Sequence, residues 1–200
     1  MFKKRLVLTF IFTLLAQYSV YAADMETPKA VIELATESLL KLAQKEKAAI
    51  AIDPEPYFTE VKSQLMSSVD FAFIAKQVMG KKHWPKANDE QKADFSAAFT
   101  NSLVRTYGKG IASFSDSKTS IAEPKLSADG SKAWVIMTVK RQPKNAKVAY
   151  LMHKTDTGWK AINVVLDGTK LMEAFRSQFD GAIERHGTIQ QVVDTWESES

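Results

Sequence analysis

The sequence predicts an α+β domain in which about four antiparallel strands lie between two groups of helices. Up to about residue 110, apolar side chains recur every three or four residues, which is the period of an amphipathic helix. Between about residues 118 and 166 they alternate, as in a strand, and the helical period returns after Thr169. Because no linker or repeat interrupts this order, it predicts one domain of the α+β class.

The first 22 residues have the features of a secretory signal peptide. Three basic residues at positions 3–5 precede an apolar run from Leu6 to Leu15, and Val20-Tyr21-Ala22 provides a cleavage site. The run is shorter than the roughly 20 residues that span a bilayer, although an uncleaved anchor is the alternative. We therefore predict a signal peptide at 1–22, a single domain at 23–200, and export of the mature protein.

The composition excludes several classes of function. Cleavage would remove three of the 27 Lys and Arg residues and none of the 23 Asp and Glu residues, so the mature chain is close to neutral. A nucleic-acid partner, which requires a dense basic face, is therefore not expected. The chain has no Cys, which excludes disulfides and thiolate metal sites.

Four helices are predicted before the sheet, at about 27–49, 53–65, 70–80 and 88–110. Thr27 and Pro28 provide a capping side chain followed by a proline in the first turn. Asp70 caps the third helix and Gly80 ends it. Asn88, with Gln91 three residues later, gives the fourth helix a capping-box start.

Four strands are predicted next, at about 118–124, 132–141, 146–155 and 158–166, and their short connections predict an antiparallel meander. Both faces of the 132–141 strand carry apolar side chains. Helices can cover one face, whereas the other needs either more helices or an apolar ligand. Thr169 is expected to cap a long helix that ends at Gly187, and a last short helix carries Trp196.

No catalytic or metal-binding constellation is evident. His83, His153 and His186 lack the spacing of a zinc site and are expected to be surface polar residues. No nucleophile elbow, phosphate-binding loop or dinucleotide fingerprint occurs. The lysines at positions 81, 82 and 86 belong either to a solvated loop or to an edge that meets anionic headgroups or an acidic partner.

Two stretches resemble the MlaC-type, toluene-tolerance family of periplasmic phospholipid carriers. The first is VDFAFIAKQVMGKKHWPKANDEQKADFSAAF, from Val69 to Phe99, which carries the family's D-F-x-x-I-A-x-x-V-M/L-G pattern. The second is WKAINVVLDGTKLMEAFRSQF, from Trp159 to Phe179. The chain departs from the family at Asn163, where Asp is frequent, and at Thr169, where Val is frequent.

The resemblance implies a curved antiparallel sheet wrapped by helices, in the NTF2-like arrangement, with an apolar pocket between sheet and helices that holds phospholipid acyl chains. It implies a periplasmic carrier that moves lipid between an outer-membrane lipoprotein–porin complex and an inner-membrane ABC transporter complex with a lipid-binding MCE subunit. Such a carrier maintains the lipid asymmetry of the outer membrane. It is not an enzyme and needs no cofactor beyond the transported phospholipid.

Strand alternation and the apolar helix faces predict the side chains that line this pocket. Flexible methionines suit variable acyl chains. The predicted lining is Phe71, Ile74, Val78, Phe99, Leu103, Tyr107, Val135, Met137, Val139, Val148, Tyr150, Met152, Ile162, Val164, Leu171 and Phe175.

Two alternatives belong to other classes of function. An NTF2-like enzyme acting on a small apolar substrate would need an acid–base pair in the cavity, for which His153 and Asp156 are the candidates. A protein-binding adaptor is the other. Headgroup preference, the number of acyl chains bound, the direction of transport and the oligomeric state do not follow from the sequence.

Overall fold

A computed structural model describes residues 27–199 of the chain. Within these residues, helices precede the strands of the sheet along the chain and further helices follow them, which confirms the α+β class. The elements are, in chain order, α1 (Pro28–Lys45), α2 (Lys47–Ile50), α3 (Glu55–Leu65), α4 (Phe71–His83), a 3₁₀ turn (Trp84–Lys86), α5 (Asp89–Ser113), β1 (Thr119–Ile121), β2 (Lys125–Leu126), β3 (Lys132–Val139), β4 (Ala146–Thr155), β5 (Gly158–Leu166), β6 (Thr169–Lys170), α6 (Leu171–His186) and α7 (Ile189–Glu199). The predicted signal peptide, up to Ala22, lies outside the described residues.

Capping interactions confirm three of the predicted helix ends, namely the starts of α1 and α5 and the end of α6. The Thr27 hydroxyl accepts a hydrogen bond from the Ala30 N–H at 3.1 Å, at the start of α1. At the start of α5, the side chains of Asn88 and Gln91 each accept a hydrogen bond from the other's backbone N–H, at 2.8 and 3.1 Å. At the end of α6, Gly187 has φ +84°, a conformation that favours glycine. Local sequence therefore determines where these helices begin and end.

Three of the predicted helix boundaries were wrong. The first helix ends at Lys45 rather than near Ala49, because Glu46 (φ −91°, ψ 6°) separates it from the one-turn α2. Gly80 has φ +64° and interrupts α4 as predicted, yet helical turns resume and continue to His83. The fourth helix extends beyond residue 110 to Ser113.

The prediction that Thr169 caps α6 was also wrong. Thr169 pairs with Leu166 in the two-residue β6, and Lys170 occupies the position before the helix. The chain turns between β5 and β6 at Asp167 (φ +48°) and Gly168 (φ +91°). The tight turn directs the start of α6 back towards β5, which it contacts.

The sheet is antiparallel, in the order β1-β3-β4-β5-β6, and β2 also pairs with β3. β1 and β2 lie along the same edge of β3, with Ile121 opposite Met137 and Leu126 opposite Ala133. The strand predicted at about 118–124 is therefore a shorter β1 followed by a separate β2. The third and fourth predicted strands have the predicted bounds, 146–155 and 158–166.

The register between β4 and β5 shifts once. Leu151 lies opposite Asn163 but Met152 lies opposite Ala161, so Ile162 is an extra residue in β5. Such a bulge reverses the alternation of side chains beyond it. Ala161 therefore shares a face with Met152, although simple alternation from Val164 would place it on the other face.

The helices pack on one another, and α1 packs on the face of the sheet that carries Val135 and Met152. Residues of α4, α5, α6 and α7 form a core that contains Phe95, Phe179 and Trp196. Helix α1 packs on β3 and β5 and, through Leu39 and Leu42, on α3. Among residues 27–199, no helix combines the length and apolar character needed to cross a membrane.

Candidate functional site

One face of the sheet, which we call the inner face, carries apolar side chains in rows across β3, β4 and β5. Val135, Tyr150 and Val164 form one row, and Met137, Val148 and Leu166 form the next. Directly opposed residues of antiparallel strands point to the same side. Seven of the eight strand residues predicted to line a pocket therefore lie on this face, whereas Ile162 is the extra residue of the bulge: the seven are Val135, Met137, Val139, Val148, Tyr150, Met152 and Val164.

Helix α1 closes one end of the inner face. Val31 and Ile32 pack in a buried cluster with Val135, Met152 and Ala161. Val135 and Met152 are 0% exposed. Farther along α1, the Thr36 hydroxyl lies 3.5 Å from the Met137 sulfur. Around Val31 and Ile32 the inner face is therefore an ordinary filled core.

The other end of the inner face is less tightly covered. Val148, Tyr150, Val164 and Leu166 all retain partial exposure, although they lie on the same strands as the fully buried residues. Met137, Val139 and Ala146, next to the β3–β4 hairpin, are buried in a cluster of their own. The less covered region is therefore the part of β4 and β5 that runs from Tyr150 and Val148 to the β5–β6 turn. We call this region of the inner face the open end.

Apolar side chains of α5 and α6 with partial exposure stand together in the helical layer. Leu103 and Tyr107 lie one turn apart on α5, and Phe175 follows on α6. The Phe175 ring is perpendicular to that of Phe99 at 5.2 Å and close to perpendicular to that of Tyr107 at 6.4 Å. This aromatic group continues into the helical core, because Leu103 and Phe175 pack on it.

Tyr150 is the most informative residue of the inner face. Burial by the surrounding protein raises the pKa of its hydroxyl above the ordinary value. The residue nevertheless keeps partial exposure, and within residues 27–199 no group forms a hydrogen bond with its hydroxyl. A side chain that is surrounded by protein and still accessible is typical of the wall of an internal space.

The predicted lining residues divide into two groups by exposure. Nine are buried, and whether they also contact a ligand stays a prediction: Phe71, Ile74, Val78, Phe99, Val135, Met137, Val139, Met152 and Ile162. Seven are partly exposed and could contact a ligand without any rearrangement: Leu103, Tyr107, Val148, Tyr150, Val164, Leu171 and Phe175.

Three further apolar residues stand with this set although the prediction omitted them. Ala161 reaches the inner face because of the bulge at Ile162, and no local sequence signal marks such a bulge. Leu166 lies opposite Val148 in β5, and strand alternation could have found it. Met172, in the first turn of α6, packs with the helical core while keeping partial exposure. The β5–β6 turn at Asp167 and Gly168, which directs the start of α6, determines where Met172 lies.

The three histidines are all paired with carboxylates. His83 contacts Asp180 at 3.0 Å and His186 contacts Glu199 at 2.9 Å. The expectation that all three histidines are surface residues was wrong for His83, which is 5% exposed and packs against Phe179. Over the described range 27–199, no group of three side chains is arranged to hold a metal ion.

The acid–base pair that an enzyme would need is not formed by His153 and Asp156. His153 Nε2 contacts the Asp70 carboxylate at 3.0 Å. In β4, His153 alternates with Met152 and Tyr150, so its side chain lies on the outer face of the sheet, away from the inner face. The sequence candidates for catalysis are therefore not brought together at the apolar site.

Two surface grooves flank α1, with volumes of about 440 and 600 Å³. The first lies between α1 and the segment from Ser115 to Ile121, and the second between α1 and α3. Charged and polar side chains such as Glu37, Lys41 and Glu60 form much of both linings. The first groove reaches Ile121, which lies opposite Met137, but neither groove includes Val148, Tyr150, Val164 or Leu166.

Comparisons with known proteins agree with this geometry. The model of the MlaC protein family matches residues 33–198. The toluene tolerance protein ttg2D of Pseudomonas putida is 27% identical over 191 residues, which cover 94% of this chain and 88% of that protein. A phospholipid-binding protein from Ralstonia solanacearum, solved in complex with a phospholipid, has the same fold: the TM-score is 0.78 at 22% identity, over 86% of this chain and 96% of that one. Because the family model spans nearly all of the described residues, the chain belongs to the MlaC family.

Proposed function

We propose that the protein is a periplasmic phospholipid carrier, with the acyl chains held against the open end of the inner face and the headgroup left outside. The observation that supports this most directly is Tyr150, a partly exposed side chain in the middle of an apolar row between Val135 and Val164. The relative from Ralstonia solanacearum, whose fold this chain shares, was solved with a phospholipid.

Transfer free energies explain why such a carrier needs no chemistry. Each buried methylene is worth about 0.8 kcal/mol relative to water, so two acyl chains with on the order of 30 methylenes oppose release into water by roughly 20 kcal/mol. Between one apolar site and another, most of this term cancels. Lipid can therefore exchange between pocket and bilayer, or between pocket and partner, while escape into solvent stays negligible.

The route we propose connects the two membranes of the cell envelope. The carrier would exchange lipid with an outer-membrane lipoprotein–porin complex and with an inner-membrane ABC transporter complex that has a lipid-binding MCE subunit. Because exchange between apolar sites is nearly balanced, the direction must come from the partners. This would contribute to the lipid asymmetry of the outer membrane, and the protein itself would act without turnover, cofactor or metal.

Export can be tested separately from lipid binding. The basic residues at 3–5, the apolar run and Val20-Tyr21-Ala22 predict cleavage after Ala22. The intact mass of protein from a periplasmic extract should match a chain that begins at Ala23. Protein that retains Met1, or that occurs only in the cytoplasm, would contradict the proposed compartment.

Lipid binding is tested on the purified protein by extraction and phosphorus analysis, followed by dilution without an acceptor. We expect co-purified phospholipid that stays bound on dilution and leaves only when vesicles are added. Because the ligand binds only the folded state, delipidated protein should have a lower Tm. Loss of lipid into buffer within minutes, or an unchanged Tm after delipidation, would argue against a carrier.

A further inference from the structure

The β3–β4 hairpin carries a dense group of positive charges. Its sequence from 140 to 147 is KRQPKNAK, which contains four basic residues and no acidic one, and all four basic residues are exposed. Lys118 joins them, because its carbonyl accepts a hydrogen bond from the Lys140 N–H at 2.8 Å. We call Lys118, Lys140, Arg141, Lys144 and Lys147 the basic hairpin.

Little of this charge is neutralised within the protein. Arg141 forms an ion pair with Asp167 at 2.9 Å and lies over the Phe114 ring. The ammonium groups of Lys140, Lys144 and Lys147 have no carboxylate within 4.0 Å in the part of the chain from 27 to 199. The mature chain is nearly neutral as a whole. The positive charge of the hairpin is therefore a local feature and does not reflect the net charge of the protein.

The basic hairpin lies beside the open end of the inner face. It connects the ends of β3 and β4 where Val139 lies opposite Ala146 and Met137 lies opposite Val148. Asp167, in the turn that leads to the start of α6, binds the hairpin through the Lys147 N–H at 2.8 Å and through Arg141. The charges therefore lie at the same end of the sheet as Val148 and Leu166 of the open end, next to the buried cluster of Met137, Val139 and Ala146.

We propose that the basic hairpin docks the protein on the surface of an anionic phospholipid bilayer, with the open end turned towards the membrane. The orientation rests on the proposed carrier function, whereas the docking itself does not. Clusters of four or more Lys and Arg residues are attracted to anionic lipid surfaces. The hairpin adds no exposed aromatic anchor, and lysine is depleted in protein–protein interfaces, so these charges suit a bilayer better than a protein partner.

The test compares two triple variants of equal charge. Lys140→Gln, Lys144→Gln and Lys147→Gln remove the hairpin charges that have no partner. Lys81→Gln, Lys82→Gln and Lys86→Gln, which are all exposed residues near the end of α4, remove the same charge elsewhere. Binding of the full mature protein is measured by cosedimentation with vesicles of equal parts phosphatidylglycerol and phosphatidylcholine, with pure phosphatidylcholine vesicles as the neutral reference, at low and high salt.

We expect the parent to bind anionic vesicles, with binding weakened by salt. Each hairpin lysine should increase the affinity for anionic vesicles about five-fold, so the hairpin variant should bind roughly 100-fold more weakly than the parent. The α4 variant should bind much as the parent does. Equal losses in both variants would show a net-charge effect and overturn the proposal. Failure of the parent to bind anionic vesicles would also overturn it, and would leave an acidic protein surface as the partner of the hairpin.

Measurement of co-purified phospholipid in the same preparations separates this proposal from the carrier function. The hairpin side chains are exposed and lie outside the apolar rows, so lipid occupancy should equal that of the parent in both variants. A parent without any lipid would contradict the carrier function, while its vesicle binding would still decide the docking proposal. A hairpin variant that loses its lipid but keeps its affinity for vesicles would contradict the docking proposal alone.

Discussion

His153 Nε2 lies 3.0 Å from a carboxylate oxygen of Asp70, which joins the start of α4 to the central strand β4. The same Asp70 accepts a hydrogen bond from the Phe73 N–H at 2.9 Å, as the cap of α4, and its own N–H donates to the Ala161 carbonyl at 3.0 Å. The Phe73 ring packs near the His153 ring, with centroids 5.3 Å apart. One residue therefore orients the helix relative to the sheet.

Substitution of Asp70 should separate its capping role from its contact with His153. Asp70→Ala removes both and is expected to lower the free energy of unfolding by about 1–2 kcal/mol, the usual cost of losing a cap. Asp70→Asn keeps a good capping side chain and should retain most of that stability. Urea unfolding of both variants measures the difference. Equal losses would show that the cap contributes little and that the charge on Asp70 matters most.

The hydroxyl of Tyr150 should contribute nothing to the stability of the lipid-free protein. It has no hydrogen-bond partner within residues 27–199, so Tyr150→Phe is expected to leave the free energy of unfolding unchanged or to raise it. Tyr57→Phe is the matched control, because the Tyr57 hydroxyl donates to the Gly108 carbonyl at 3.2 Å in a buried site. The control should lose about 1 kcal/mol. A larger loss for Tyr150→Phe would contradict the interpretation of Tyr150 as a wall residue.

The crossing of α3 and α5 depends on Gly108. A Cβ at this position would lie 3.0 Å from Cδ1 of Phe58, closer than side chains normally pack. Gly108→Ala should therefore cost about 1–3 kcal/mol through overpacking, which exceeds the gain of up to about 1 kcal/mol in helix propensity. Gly110→Ala, where nothing lies within 4 Å, should be neutral or stabilising. Thermal unfolding of the pair tests this, and a stabilised Gly108→Ala would show that the helices do not cross as closely as described.

The Asp129 carboxyl in the β2–β3 turn should titrate at unusually low pH. Hydrogen bonds from the Ser127 hydroxyl, then from the backbone and side chain of Ser131, lower the pKa of Asp129 to about 2. Because the pKa is lower in the folded protein than in the unfolded chain, its stabilising contribution is complete above about pH 4 and is lost as the pH falls towards 2. NMR titration of the carboxyl carbon measures the pKa. Ser127→Ala should raise it, and an ordinary pKa in the parent would contradict the turn geometry.

Much of the sheet could be predicted from the sequence because its turns carry strong local signals. Asp156-Thr157-Gly158 and Asn145 mark the ends of β4, whose predicted and observed bounds agree. The shift at Ile162 could not be predicted, because a bulge is decided by pairing with β4 rather than by β5 alone. For the same reason the prediction listed Ile162 and omitted Ala161.

Which apolar residues line an internal space, and which simply fill the core, depends on tertiary packing. Val135 and Val164 share one row of the inner face, yet only Val135 is fully buried, because α1 packs on Val135 in β3. On the outer face, too, the sequence did not predict which apolar side chains stay exposed. Trp134 and Ile136 were expected to need cover from helices or a ligand, but they remain 39% and 40% exposed.

Two neighbouring residues of β5 test whether lipid binds on the inner face of the sheet. Val164 lies opposite Tyr150 on the inner face, whereas Val165 lies opposite Ala149 on the outer face. An unpaired carboxylate beside acyl chains in a dry site costs several kcal/mol, so Val164→Asp should abolish lipid binding and Val165→Asp should not. Val164→Asn serves as a milder inner-face variant if Val164→Asp does not fold.

The decisive measurement is the amount of phospholipid that co-purifies per protein molecule in variants whose circular dichroism matches the parent. Lipid binding on the inner face predicts parental occupancy for Val165→Asp and at least a tenfold loss for the Val164 variant, in line with the several kcal/mol that burial of the carboxylate costs. Parental occupancy in a folded Val164 variant, or an equal loss in Val165→Asp, would show that the inner face is not where the lipid binds.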